Sequence, residues 1–145
     1  MSTPSLNDIL LTPLKKIPTL GGDVMHALKA SDNGFNGFGE AYFSWIEEGA
    51  IKAWKCHKRM TLNLVVPMGE VRFVFNLPKQ NTDFLVEDIG EKRFARLTVP
   101  PGIWFGFKGK SSGSSLVLNF ADIIHDPDEM ERKSVSAFAY EWGSE

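Results

Sequence analysis

The sequence has 145 residues, of which 43% are hydrophobic, and this length and composition suit a single domain with a core of its own. Its 16 basic and 18 acidic side chains give a formal net charge of -2, so no strongly basic face is expected and nucleic acid is excluded as a partner. The single cysteine, Cys56, leaves no intramolecular disulfide, and no apolar run is long enough for a membrane-spanning helix. Since the N-terminal segment also lacks a secretory signal pattern, we expect a cytoplasmic protein without membrane contact.

The spacing of turn-forming residues predicts an all-β chain. It contains 13 Gly, 8 Pro and 17 aromatic residues (4 Trp, 2 Tyr and 11 Phe), interleaved with short β-rich runs, which is typical of an antiparallel sandwich or barrel. Eight short strands separated by turn signals predict a jelly-roll barrel. In chain order, we expect these strands at 37–46, 50–57, 61–67, 70–77, 84–86, 94–99, 103–107 and 115–121.

Helical signals are confined to the two ends of the chain. Residues 5–8 fit a capping box, which predicts a short helical turn near the N-terminus. The segment HDPDEMERK at 125–133 predicts a short C-terminal helix, because Asp126 suits the N-cap and Pro127 the first helical position. These elements divide the single domain into an N-terminal arm (1–20), the barrel (21–122) and a C-terminal helix and tail (123–145).

Two segments, IKAWKCHKRMTLNLVVPMG at 51–69 and VPPGIWFGF at 99–107, resemble the two sequence motifs of cupins. In cupins, the first motif carries two His, a Glu and a closing Gly, and the second carries Pro, Gly and a third His. The positions of the first motif are occupied here by Lys55, His57, Leu62 (or Thr61) and Gly69, and those of the second by Pro100, Gly102 and Phe105. Because a protein-bound divalent metal needs three or more converging His, Cys or carboxylate ligands, and only His57 remains, we expect no metal.

Several further segments indicate a more specific resemblance. GGDVMHAL at 21–28, GEAYFS at 39–44, PPGIWFGFKG at 100–109 and HDPDEMER at 125–132 occur in an order that resembles the dTDP-4-dehydrorhamnose 3,5-epimerase-like cupins over most of the domain. The resemblance implies a bacterial protein of surface-polysaccharide biosynthesis that acts on or binds a nucleotide-linked 4-keto-6-deoxy sugar without a cofactor. In the epimerases of this family a His removes the proton next to the ketone, an Asp partners it, and a Tyr supplies a proton from the opposite ring face. Related ketoisomerases use a pair of His.

The same resemblance implies that the catalytic positions are substituted in this chain. The catalytic His of the family falls at Lys55, and His57 matches the second His of the pair. The catalytic Tyr falls at Ile123 or Ile124, directly after Asp122. A substrate-binding Lys of the family falls at Leu62. The standard epimerase mechanism therefore lacks both its base and its acid here.

Strand alternation places Lys55 and His57 on one face and Cys56 on the other, which suggests a Lys/His pair inside the barrel. An imidazole titrates near neutral pH unaided, so His57 is the candidate base, with a structural histidine in the barrel mouth as the alternative. Lys55 is the second candidate catalytic residue, because it would polarise the ketone, relay a proton or hold a phosphate. A lysine that extends along the surface is the alternative for Lys55.

Seven further residues are expected to bind the substrate. Trp104 and Phe105 would stack on the ligand or pack in the core, and two Asn within strands would take a buried hydrogen bond to the structure or to the ligand. The two Arg would clamp a pyrophosphate through bidentate contacts, or lie in solvent. The set is Arg59, Asn63, Arg72, Trp104, Phe105, Asn119 and Asp122.

These observations lead to one main hypothesis and one alternative. The apolar run VRFVFNL at 71–77 predicts a strand covered on both faces, from which we expect a homodimer. The main hypothesis is a homodimeric epimerase- or isomerase-like cupin that handles a nucleotide-linked keto sugar. The alternative is a non-catalytic sugar-nucleotide-binding cupin, or a structural partner of an active paralogue.

Overall fold

The computed structural model describes residues 3–80 and 83–143. In that part of the chain the regular structure consists of twelve β-strands and four single turns of 3-10 helix, so the all-β prediction is confirmed. No helix there is long and apolar enough to cross a membrane. The strands are β1 Leu10–Pro13, β2 Lys16–Ile17, β3 Val24–Met25, β4 Glu40–Ile46, β5 Ile51–His57, β6 Leu62–Met68, β7 Glu70–Asn76, β8 Leu85–Gly90, β9 Ala95–Val99, β10 Trp104–Gly109, β11 Ser115–Ala121 and β12 Met130–Arg132.

The strands form two five-stranded antiparallel sheets and a separate β2–β3 pair. The first sheet has the order β1-β9-β6-β11-β4, and the second has the order β12-β5-β10-β7-β8. Strands β4 to β11 correspond to the eight strands predicted from the sequence. The four strands that the sequence did not predict have only two to four residues each, too short for an alternating pattern to be recognised.

The main core lies between the inward faces of the two sheets. Alternate residues of β6, namely Leu62, Leu64 and Val66, meet alternate aromatic residues of β7, Phe73 and Phe75, and all five are buried. Each side chain of this kind contributes about 1.5–3 kcal/mol when it is removed from water. The period of two along each strand therefore fixes which residues face the interior.

A second apolar cluster covers the outer face of the second sheet. Trp54, Trp104 and Val74 project from that face and belong to one cluster with Trp142 of the C-terminal segment. Cys56 belongs to the same cluster, and burial raises the pKa of its thiol to about 11. The apolar residues on both faces of β7 are thus covered within one chain, so the run at 71–77 does not require the second copy from which we inferred a dimer.

The predicted helix over 125–133 is wrong. Asp126 caps the segment as expected and accepts a hydrogen bond from the Asp128 amide, but the helix is a single 3-10 turn over Pro127–Glu129. The chain then extends as β12 and pairs with β5, with Met130 opposite His57 and Arg132 opposite Lys55. Met130 is the one apolar side chain of the segment, so the segment lacks the apolar stripe that a helix buries. As a strand, its backbone N–H and C=O groups instead form hydrogen bonds with the open edge of β5.

The predicted capping box is confirmed, and the motif residue Gly69 has a structural role. Ser5 and Asp8 form both hydrogen bonds of a capping box around a 3-10 turn over Leu6–Asp8. Gly69 makes the tight turn from β6 to β7 with φ of 83°, and a Cβ at this position would meet the Ser115 side chain. Glycine is therefore required there both for its backbone conformation and for its size.

Candidate active site

A small cleft opens between the two sheets at one end of the barrel. It has a volume of about 110 Å³ and receives side chains from strands of both sheets, so that groups face each other across it. Both predicted catalytic residues line this cleft. The lining residues are Glu40, Tyr42, Lys55, His57, Met60, Ala121, His125, Met130 and Arg132.

His57 forms a buried pair with a carboxylate. His57 is 9% exposed, Glu129 is 3% exposed, and the imidazole Nδ1 is hydrogen-bonded to Oε1 of Glu129. The other carboxylate oxygen accepts hydrogen bonds from the backbone amides of Arg59, at 3.1 Å, and Met60, at 3.2 Å. Burial alone would raise the pKa of the Glu129 carboxyl, but the hydrogen bonds from His57 and the two amides together hold this pKa below its ordinary value.

This pairing fixes the chemical role of each imidazole nitrogen. An ionised carboxylate only accepts hydrogen bonds, so Nδ1 of His57 donates to Glu129, and in the neutral imidazole Nε2 is then the nitrogen with a free electron pair. The ring of Phe105 lies nearly parallel to the imidazole, with 20° between the planes and 6.1 Å between the centroids. Glu129 and Phe105 therefore hold His57 in the tautomer and orientation of a general base.

Lys55 is half-buried beside this pair. Burial lowers the pKa of its ammonium group, and the neighbouring charges of Arg132 and Lys52 lower it further. Lys55 has no carboxylate within ion-pair distance among residues 3–80 and 83–143. The sequence prediction that Lys55 and His57 share a face is confirmed, since both line the cleft.

Tyr42 projects into the cleft from the opposite sheet. Its hydroxyl oxygen accepts a hydrogen bond of 2.9 Å from Nδ2 of Asn119, which leaves the hydroxyl proton of Tyr42 for another acceptor. Asn119 is only 7% exposed, and its Oδ1 has no hydrogen-bond partner in the described part of the chain. A proton-donating hydroxyl thus stands across the cleft from the His57 imidazole.

Sequence reasoning missed Glu129 and Tyr42 as functional residues. Glu129 was interpreted as part of a helix N-terminus, and its contact with His57 spans 72 residues of sequence. Tyr42 lies in the GEAYFS segment that carries the family resemblance, but the catalytic Tyr was sought after the last barrel strand. The available signal for Tyr42 was strand alternation, which places Tyr42 and its cross-strand neighbour Asn119 on the same face.

Of the seven predicted substrate-binding residues, two lie inside the barrel next to the cleft. Phe105 contacts His57, and Asn119 contacts Tyr42. Two others lie near the mouth but are already bonded within the chain. Oδ1 of Asp122 accepts from the Thr61 amide at 2.8 Å, and Arg59 forms an exposed ion pair of 3.1 Å with Asp126.

The remaining three predicted substrate-binding residues face away from the cleft. Trp104 packs in the outer aromatic cluster. Arg72 forms a bidentate pair with Asp88 at 2.8 and 3.0 Å, and Asn63 accepts hydrogen bonds from the side chains of Arg96 and Thr98. Strand alternation explains these positions, because each neighbours an inward-facing residue along its strand.

Comparisons with known proteins identify the family. No protein-family model matches the chain, and no curated protein does. Among solved structures, the dTDP sugar isomerase from Desulfovibrio desulfuricans G20 is 32% identical with a TM-score of 0.88, and the match covers 94% of this chain and 92% of that one. The chain belongs to the dTDP-4-dehydrorhamnose 3,5-epimerase-like cupin family.

Two more distant structures share the fold of this epimerase-like chain. A sugar 3,4-ketoisomerase from Thermoanaerobacterium thermosaccharolyticum, crystallised in complex with TDP, is 17% identical with a TM-score of 0.75, covering 89% of this chain and 90% of that one. A dTDP-4-dehydrorhamnose 3,5-epimerase from Sulfolobus tokodaii is 19% identical with a TM-score of 0.79, covering 96% and 85%. These two structures show the shared fold, and the structure that is 32% identical confirms the resemblance inferred from the sequence motifs.

Proposed function

We propose that this protein is an isomerase of a nucleotide-linked 4-keto-6-deoxy sugar and that His57 is its general base. The observation that carries the proposal is the buried His57–Glu129 pair in a cleft that also holds Tyr42 on the opposite sheet. In this chain, Lys55 stands where the family has its catalytic His, and Ile123 or Ile124 stands where it has its catalytic Tyr. His57 and Tyr42 would supply the missing base and acid. This arrangement provides one proton acceptor and one proton donor on opposite sides of the space where a sugar ring would lie.

The chemistry follows from these positions. Nε2 of His57 takes a proton from the carbon next to the ketone, and the electrons of the broken C–H bond form a C=C bond while the carbonyl electrons move to oxygen. Lys55 lies beside His57 and stabilises the enolate oxygen by its positive charge. Return of a proton from Tyr42 to the opposite face inverts that carbon. The ketone moves instead if that carbon bears a hydroxyl: His57 returns its proton to the former carbonyl carbon, the hydroxyl proton passes to the enolate oxygen, and the C=C bond electrons shift as the hydroxyl carbon becomes the new carbonyl.

The relatives support the substrate class. The relative that is 32% identical is named a dTDP sugar isomerase, and the ketoisomerase structure contains TDP, so we propose a dTDP-linked sugar as the substrate. A role in bacterial surface-polysaccharide biosynthesis in the cytoplasm completes the proposal, with a homodimer as the working form. Strand orders β4-β11-β6-β9 and β5-β10-β7-β8 in the facing sheets support classification of the barrel as a jelly roll.

The experiment is incubation with dTDP-4-keto-6-deoxyglucose in D₂O, followed by NMR of the sugar. We expect deuterium next to the ketone together with an isomerised product. In the Tyr42→Phe variant we expect exchange to continue while inversion is lost, because His57 remains but the opposite proton donor is absent. Tight binding of the substrate without any exchange in the wild-type protein would contradict the proposal and favour the non-catalytic binding protein.

A further inference from the structure

The two arginines predicted to clamp a pyrophosphate are already neutralised within the chain. The guanidinium of Arg72 is bound by both oxygens of Asp88, and that of Arg59 lies 3.1 Å from Asp126. A diphosphate that displaced either carboxylate would have to break an existing ion pair. A binding site for the anion of the substrate is therefore better sought among cations that have no carboxylate partner.

Such cations line a groove at the open edge of β5, where β12 ends. The groove has a volume of about 300 Å³, and four of its seven lining residues are basic while none is acidic. It adjoins the active-site cleft, because Lys55 and Arg132 line both. The lining residues are Ile51, Lys52, Ala53, Trp54, Lys55, Arg132 and Lys133.

One of the four basic residues, Lys133, has contacts that differ from those of the other three. Lys133 places its ammonium over the rings of Trp104, at 4.9 Å, and Phe138, at 5.3 Å, which gives it a partner outside the groove. Lys52 donates to the backbone carbonyl of Trp45 at 2.8 Å and keeps two further donor positions. Within residues 3–80 and 83–143, neither Lys52 nor Arg132 forms an ion pair with a carboxylate.

The placement of these charges is unfavourable without an anion. Lys55 and Arg132 are direct cross-strand partners, and like charges in that position destabilise a sheet. The repulsion is visible in Lys55, whose pKa is lowered by burial and, beyond that, by Arg132 and Lys52. The acidic side chain that lines the adjoining cleft, Glu40, accepts a hydrogen bond from the His125 amide and does not line the groove.

We propose that this groove binds the diphosphate of the nucleotide sugar, with Lys52 and Arg132 as its main ligands and Lys55 at the junction with the cleft. The inference rests on the proposed function and adds the orientation of the substrate. The guanidinium of Arg132 suits two phosphate oxygens at once, and the ammonium of Lys52 supplies a second positive charge. The sugar attached to the diphosphate then reaches His57 through the end of the groove that Lys55 shares with the cleft.

The test is calorimetric titration of the full chain with dTDP, thymidine and inorganic pyrophosphate. We expect Arg132→Gln and Lys52→Gln each to weaken dTDP and pyrophosphate binding roughly tenfold or more, since each removes a charge-assisted hydrogen bond, and to leave thymidine binding unchanged. Arg93→Gln is the matched control, because Arg93 is an exposed arginine paired with Glu87 outside the groove, and we expect less than a twofold effect. Thermal unfolding of each variant verifies that the fold is intact.

The outcomes separate this inference from the proposed function. If dTDP sugars undergo exchange while both groove variants bind dTDP as tightly as the wild type, the groove assignment is overturned and the proposed function stands. If pyrophosphate binding depends on Arg132 and Lys52 but no sugar exchange occurs, the groove stands and the proposed reaction is overturned. Failure of the wild-type protein to bind either dTDP or pyrophosphate would overturn both.

Discussion

Replacing Glu129 with Gln tests the buried pair on which the site depends. The carboxylate accepts three hydrogen bonds, one from His57 on Oε1 and two from the Arg59 and Met60 amides on Oε2. A Gln side chain has one acceptor oxygen, so its NH₂ group must face either the imidazole N–H or the two amides. Either the two buried amide donors are then left unpaired, or His57 must move its proton from Nδ1 to Nε2 and loses the hydrogen bond to a charged acceptor; either loss costs about 1–3 kcal/mol. Glu129→Ala leaves all three unpaired and should cost about 3–5 kcal/mol.

The direction of the pKa shift of Glu129 determines how the stability difference between the two proteins changes with pH. The pKa of Glu129 is lowered in the folded state from its ordinary value of 4.5, so its carboxylate stabilises the fold above that pH. This stabilisation is lost as the pH falls through the lowered pKa, because the protonated carboxyl is then as uncharged as Gln. The difference in the free energy of unfolding between wild type and Glu129→Gln should therefore have its largest value at pH 7 and decrease below pH 4.5.

The assay is urea unfolding followed by tryptophan fluorescence between pH 3 and pH 8, with thermal unfolding as a second measurement. At about 2–4 °C per kcal/mol for a chain of this size, the Gln variant should melt several degrees lower at pH 7. Glu131→Gln is the matched control, since Glu131 is an exposed residue of the adjoining strand β12 and should change stability by no more than about 0.5 kcal/mol. Equal stability of wild type and Glu129→Gln at pH 7, or a difference that does not depend on pH, would refute the reasoning.

Three further predictions concern the turn, the metal and the assembly. Gly69→Ala should destabilise the fold by about 1 kcal/mol or more, because the φ of 83° and the nearby Ser115 side chain both oppose a Cβ, and an unchanged melting temperature would count against this. Elemental analysis of protein purified without added metal should find far less than one zinc, iron or manganese per chain, since only His57 remains of the motif ligands. A value close to one would contradict it. Solution scattering at micromolar concentration should give the mass of a dimer, because Phe43 and Trp45 of the edge strand β4 are exposed apolar residues that a second copy would cover; the mass of a monomer would contradict this.

The eight main strands were predictable because their pattern is local. Within β6 and β7, alternate residues such as Leu64 and Phe73 are apolar and face the same core, so the period of two can be read directly from the sequence. The final strand could not be recognised in this way. β12 has three residues, and its structure depends on pairing with the edge of β5, which is far away in the chain. Capping signals at Asp126 and Pro127 described the start of the turn correctly but carried no information about the strand after it.

Part of the candidate site could also be predicted, because the pattern of that part is local. Lys55 and His57 are two residues apart on one strand, so alternation alone placed them together. Glu129 and Arg132 reach the site only because β12 replaces the predicted helix, and Tyr42 reaches it because the two sheets face each other. Contacts between elements distant in sequence are set by the topology, which a pattern of single residues does not encode.

The central claim is that His57 removes the proton next to the ketone of a nucleotide-linked sugar. The most direct measurement is the initial rate of deuterium incorporation from D₂O into dTDP-4-keto-6-deoxyglucose by the wild type, His57→Ala and His26→Ala, the last a histidine outside the cleft. We predict that His57→Ala slows exchange about 100-fold or more, in line with the usual contribution of a general base, and that His26→Ala matches the wild type. Exchange by His57→Ala at the wild-type rate would contradict the claim.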